Sequence, residues 1–166
     1  MSEFPAAIER LGRILPEYRG YAAAAERRAS DRALREYLLD KTEQHAQSVN
    51  SWIHDAELSA ADAGVRALAQ RVFDRLGDIG DATRAAPYAF GDFMAVPVLR
   101  DDILAAIYEL DGQLLDCLRE VQNLVDPTLT PDTDLAALAR NVEIRLDELF
   151  AIVRHRAETI SEYVGP

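Results

Sequence analysis

The feature that most constrains this chain is an apolar seam between Leu99 and Val125. Ile103, Ile107, Leu110, Leu114, Cys117, Val121 and Leu124 follow one another at steps of four and three residues. That alternation places them on one side of an α-helix, in the register helices use when they pack along each other. Leu104, Leu118 and Val125 widen the seam into a face suited to a bundle interior, while Asp102, Glu109 and Asp116 line the opposite side. Such a face must be covered by other amphipathic helices.

The remaining segments supply them. Phe4, Ile8, Leu11 and Leu15 mark a short helix that Pro16 stops, and Gly20 allows a bend between Tyr18 and Tyr21. From Leu34 onward Tyr37, Leu38, His45, Val49 and Trp52 share one stripe, so the span 17–57 is helical. Ser30-Asp31 fits either a helix start or a mid-helix position, which leaves that span as one rod or two. Ser59-Ala60-Ala61-Asp62 has the form of a capping box before a helix carrying Val65, Leu68, Val72, Leu76 and Ile79. Gly77 and Gly80 within that helix suggest either a close approach to a neighbour or fraying. Asp126-Pro127 ends the seam helix. Thr130 and Pro131 then read as the cap and first residue of a last helix, which buries Leu135, Leu138, Val142, Leu146, Leu149, Ile152 and Val153. No segment alternates with a period of two long enough to form a strand. The expected fold is therefore all-α, an antiparallel bundle of four to five helices in a single domain over residues 1–166.

Charge narrows the partners. The net charge is −11, and its distribution is uneven: residues 1–57 hold eight Lys/Arg against ten Asp/Glu, residues 58–166 ten against nineteen. An acidic body repels phosphate backbones, so no nucleic-acid partner is expected. The N-terminus lacks the basic and apolar regions of a signal peptide, and no run reaches the roughly eighteen apolar residues of a membrane span. The single Cys117 excludes an internal disulfide and reads as a small core residue. These features point to the cytoplasm.

Within the acidic chain, Arg28, Arg32 and Arg35 form a row at i, i+4 and i+7. Three uses stand open: local pairing with Glu26, Asp31 and Glu36, docking against the equally spaced Asp74, Asp78 and Asp81, or recognition of an anionic membrane surface. The segment Pro87–Pro97 has no helical logic and crowds Tyr88, Phe90, Phe93 and Met94 together. It reads either as a plug for the end of the bundle or as a docking knob. The carboxylate pairs Glu36/Asp40, Asp74/Asp78 and Glu143/Asp147 could hold a hard cation but fit a solvated face better, and no histidine follows a glutamate by three as a di-iron bundle requires. No hydrolase, phosphate-loop, dinucleotide or zinc motif occurs, so neither catalytic residues nor a cofactor is expected. His45 reads as a satisfied core or boundary histidine, and His155, between Arg154 and Arg156, as a solvated one.

Two stretches carry a family resemblance. LPEYRGYAAAAERRASDRALREYL resembles the opening of a family of small bacterial all-helical proteins, with its G-Y and E-x-R-R-x-x-D-x-x-L-R pattern. DRLGDIGDATRAAPYAFGDFMAVPVLRDDILAAIYELDGQLLDCL is similar to that family's aromatic turn followed by L-x-x-I-Y-x-L-D. The match covers roughly residues 15–120 and marks Gly20, Tyr21, Arg27, Arg28, Asp31, Leu34, Arg35, Tyr88, Phe93, Tyr108 and Asp111. It implies an association with membrane-stress systems of the phage-shock protein A or band-7 (SPFH) kind. A second likeness is to PhoU-like phosphate-transport regulators, through Asp74-x-x-x-Asp78, VPVLRDDI and Leu110-Asp111. The combined expectation is a non-enzymatic adaptor that meets a protein partner through Arg28, Arg32, Arg35, Tyr88, Phe90 and Phe93. The alternative is a metal- or phosphate-responsive regulator using paired carboxylates. Peripheral contact with an anionic membrane and homo-oligomer formation both stay open.

Overall fold

The computed structural model describes residues 4–58, 63–86, 90–126, 130 and 132–162. Among them lie six helices and no strand: α1 (Phe4–Gly12), α2 (Ala24–Leu58), α3 (Ala63–Ala85), α4 (Gly91–Ala95), α5 (Asp101–Val125) and α6 (Leu135–Ser161). The seam predicted from its four-three stepping is α5, and it is buried more widely than expected. Tyr108, Asp111, Gly112 and Leu115 join the apolar positions in the interior.

The four long helices pack in the cyclic order α2, α3, α6, α5, with α1 against α5 and α4 against α2 and α6. Chain direction follows from the ion pairs between helices. Arg71 meets Glu143 and Arg75 meets Asp147, so α3 and α6 run parallel. Arg156 meets Asp111 and Arg145 meets Glu120, so α5 and α6 are antiparallel. The bundle is thus two antiparallel hairpins, α2–α3 and α5–α6, laid together with like-directed helices side by side. This refines the expectation of a simple antiparallel bundle; α1 is the short first helix the sequence predicts, and the one-turn helix α4 is the element beyond the four or five expected.

The span 17–57 does not form a single rod: α2 begins at Ala24 and is then continuous for 35 residues. Ser30 is therefore mid-helix and caps nothing. Its buried hydroxyl donates to the Gly20 carbonyl at 2.9 Å and accepts the Arg19 N–H at 2.9 Å, tying the preceding loop onto the helix. Gly20 is required in that loop. Its φ is +88°, and a Cβ there would lie 2.5 Å from Tyr108 Oη and 2.8 Å from Ile8 Cδ1.

Three further expectations are corrected. The last helix starts at Leu135, where the Asp134 side chain accepts the Ala137 N–H at 2.9 Å. Thr130 instead forms a turn with Thr133, and Pro131 lies outside the described residues, as does the capping box at Ser59–Asp62. Gly77 and Gly80 mark no close helix contact: a Cβ on Gly77 meets nothing within 4 Å, and one on Gly80 meets only the Arg84 side chain. Residues 87–97 are not wholly irregular, since Gly91–Ala95 close one helical turn through Met94 N–H to Phe90 O and Val96 N–H to Asp92 O.

Candidate functional site

The polar residues of interest gather where the start of α2, α4, the middle of α5 and the end of α6 come together. Arg156 is the hub. It lies on the apolar stripe of α6 defined by Leu149, Val153 and Ile160, so folding drives it inward with them. Only 4% of it is exposed. Its Nε donates to Asp111 Oδ1 at 2.6 Å, Nη1 to Asp31 Oδ1 at 3.1 Å, and Nη2 to Tyr21 Oη at 2.7 Å. The second oxygen of Asp111 accepts the hydroxyls of Tyr18 at 2.7 Å and Tyr21 at 2.8 Å. The second oxygen of Asp31 accepts Arg35 Nε at 2.8 Å.

Every charged group in this chain of contacts is therefore matched, as buried charge demands. Burial, reinforced by Asp111, pushes the Tyr18 and Tyr21 hydroxyls well above the usual phenol range and keeps both protonated as donors. Burial by itself would weaken the hold of Arg156 on its proton. The negative Asp111, assisted by Tyr21 and Asp31, outweighs that and raises its pKa well above the ordinary value. A cavity of about 20 Å³, lined by Arg35, Arg156, Leu34 and Leu114, adjoins the network and has room for about one water.

Arg27, fully buried, organises the wall next to this network. Its guanidinium donates to the carbonyls of Tyr21 at 2.7 Å, Ala22 at 3.3 Å, Phe93 at 3.0 Å and Val96. Phe93 packs against Tyr21 with ring centroids 5.8 Å apart, and Tyr108 lies at the same distance from Tyr21. The Tyr108 hydroxyl accepts the Tyr21 N–H at 2.8 Å. The chain from Tyr18 to Ala22 and the turn α4 are thus fastened to the bundle by side chains of α2, α5 and α6.

Outside this core lies an open cleft of about 410 Å³, lined by Ala25, Arg28, Ala29, Asp31, Arg32, Arg35 and Met94. The row Arg28, Arg32, Arg35 borders one surface feature, as its spacing predicted. It does not dock on α3. Asp74 accepts from Gln70, Asp78 pairs with Arg75 and Asp81 pairs with Arg84. Local pairing occurs instead, closely for Arg35 with Asp31 and loosely, at 3.9 Å, for Arg32 with Glu36.

The aromatic turn is not a knob. Phe90 and Phe93 are each 1% exposed and plug the end of the bundle, so neither offers a surface to a partner, and Tyr88 lies outside the described residues. His45 is buried but not satisfied: among the described residues its Nε2 has no hydrogen-bond partner. His54 and His155, unlike His45, are exposed. Among the described residues no cluster of three or more His, Cys, Asp or Glu could hold a metal ion. Of the carboxylate pairs, Glu143 and Asp147 face arginines of α3.

Arg156 was missed in the sequence because the run Arg154-His155-Arg156 looks solvated. The signal was its spacing of three from Val153 and four from Ile160. Arg27 and Asp31 carry the same signal, at seven and three residues before the buried Leu34. Of the positions marked by the family resemblance, Gly20, Tyr21, Arg27, Asp31, Tyr108 and Asp111 meet at this site, while Arg28 and Arg35 border its outer cleft. No helix among the described residues is long and apolar enough to cross a membrane. Compared with known proteins, the chain matches no family model, no curated protein and no solved structure.

Proposed function

We propose that this protein is a non-enzymatic helical-bundle adaptor that holds a partner protein on the Arg28, Arg32 and Arg35 face of α2. The observation that carries this reading is the cleft itself. Three guanidinium groups border one opening on a chain of net charge −11. The carboxylate nearest them, Asp31, is held from behind by Arg156. The buried network supports the same reading, because each of its carboxylate oxygens already has a donor and its tyrosines stay protonated. Its role is to keep the cleft walls in place. The resemblance to small helical bacterial proteins is what suggests a membrane-stress system as the setting.

Affinity capture from the native cell tests this, comparing the intact chain with the double reversal Arg28→Glu/Arg32→Glu. Both side chains are exposed, so the variant should melt within a few degrees of the intact protein. Proteins retained by the intact chain should be lost with the folded variant. An unchanged set of captured proteins rules the face out.

A further inference from the structure

Resting on the adaptor reading, we infer that the cleft of Arg28, Arg32, Arg35 and Met94 takes a phosphorylated side chain of the partner protein, set in a segment with basic flanks. The donors in the cleft are available. Among the described residues the Arg28 guanidinium makes no ion pair or hydrogen bond, and Arg32 lies 3.9 Å from Glu36, beyond hydrogen-bond reach. Arg35 uses its Nε on Asp31, and among the described residues its two terminal nitrogens make no hydrogen bond where the side chain borders the cleft. A phosphate ester presents three oxygens and nearly two negative charges to such forked donors, whereas a carboxylate presents two oxygens and one charge.

The surroundings favour the same group. Ala25 and Ala29 lie in the first turns of α2, so an anion can come near the positive end of a 35-residue helix without meeting a large side chain. Met94 supplies an apolar wall for the carbon side of the ester. Asp31 borders the cleft, but both its oxygens are already engaged by Arg156 and Arg35. The acidic body of the protein then selects the flanks. It attracts a basic segment and repels a flat anionic bilayer or an acidic peptide.

Fluorescence anisotropy on the full chain tests this, using a labelled lysine-flanked phosphoserine peptide, its unphosphorylated form, inorganic phosphate as competitor and vesicles containing phosphatidic acid. The phosphopeptide should bind at least about tenfold more tightly than its unphosphorylated form. Excess phosphate should displace it, and Arg28→Ala, which removes no side-chain ion pair or hydrogen bond among the described residues, should weaken it by about tenfold. Equal binding of the two peptides, or binding of vesicles alone, overturns the inference. The adaptor reading fails separately. Capture that survives phosphatase treatment of the lysate but is lost in Arg28→Glu/Arg32→Glu keeps the adaptor and ends the phosphate assignment.

Discussion

Arg156 Nε lies 2.6 Å from Asp111 Oδ1, and both side chains are almost wholly buried. This pair joins α6 to α5, and through the remaining nitrogens of Arg156 it also reaches Asp31 on α2 and Tyr21 in the preceding loop. Removing the guanidinium leaves the buried Asp111 with two tyrosine donors but no counter-charge, and Asp31 with Arg35 alone. Arg156→Ala should therefore destabilise the protein by about 3–5 kcal/mol, the usual result of breaking a buried ion pair from one side. Urea unfolding followed by circular dichroism checks this, and a loss below about 1 kcal/mol contradicts the role assigned to the network.

Two glycines should respond in opposite directions. Gly20→Ala places a Cβ at positive φ and against Tyr108 and Ile8, so it should cost about 1–3 kcal/mol or more. Gly77→Ala fills open space on an exposed helix face and should stabilise by about 0.5–1 kcal/mol. Thermal melts of the two variants give the signs. A destabilised Gly77→Ala would show that α3 is approached there after all.

His45 makes stability depend on pH. Burial lowers its folded pKa below the ordinary 6.5, partly opposed by Asp126 and assisted by Lys41. The folded protein then binds fewer protons than the unfolded chain below that value, so stability is complete above pH 6.5 and declines as pH falls through it. Denaturation at pH 7.5 and at pH 5.5, above the range where most carboxylates titrate, should show the decline in the intact protein. His45→Leu, which removes the unpartnered Nε2, should flatten it. An equal slope in both proteins assigns the effect to other groups.

Cys117 should be inert in the folded state. It is buried, its thiol donates to the Arg145 carbonyl at 3.4 Å, and burial pushes its pKa up to about 11. Alkylation by iodoacetamide at pH 8 should be slow in buffer and fast in denaturant. Comparable rates in the two conditions would contradict the packing of α5 against α6.

The elements of this fold are legible in the chain because helices are specified locally. The stepping of Ile103 to Leu124, and of Leu135 to Val153, states both the helix and its buried face. The Arg28, Arg32, Arg35 row was visible for the same reason, since residues three and four apart share a helix surface whatever the rest of the chain does. Burial of Arg27, Asp31, Asp111 and Arg156 was harder to see because charged residues are ordinarily exposed. Their positions on apolar stripes were the available hint.

The sequence by itself determined an acidic all-helical chain, its seam helix and the guanidinium row on its longest helix. Only the tertiary structure decided that Phe90 and Phe93 close the bundle, that Asp74, Asp78 and Asp81 pair with their own neighbours, and that Arg156 joins three helices. The reason is range. A helical face depends on residues within two turns, whereas a buried charge is tolerable only where groups 45 and 125 positions away arrive with matching oxygens.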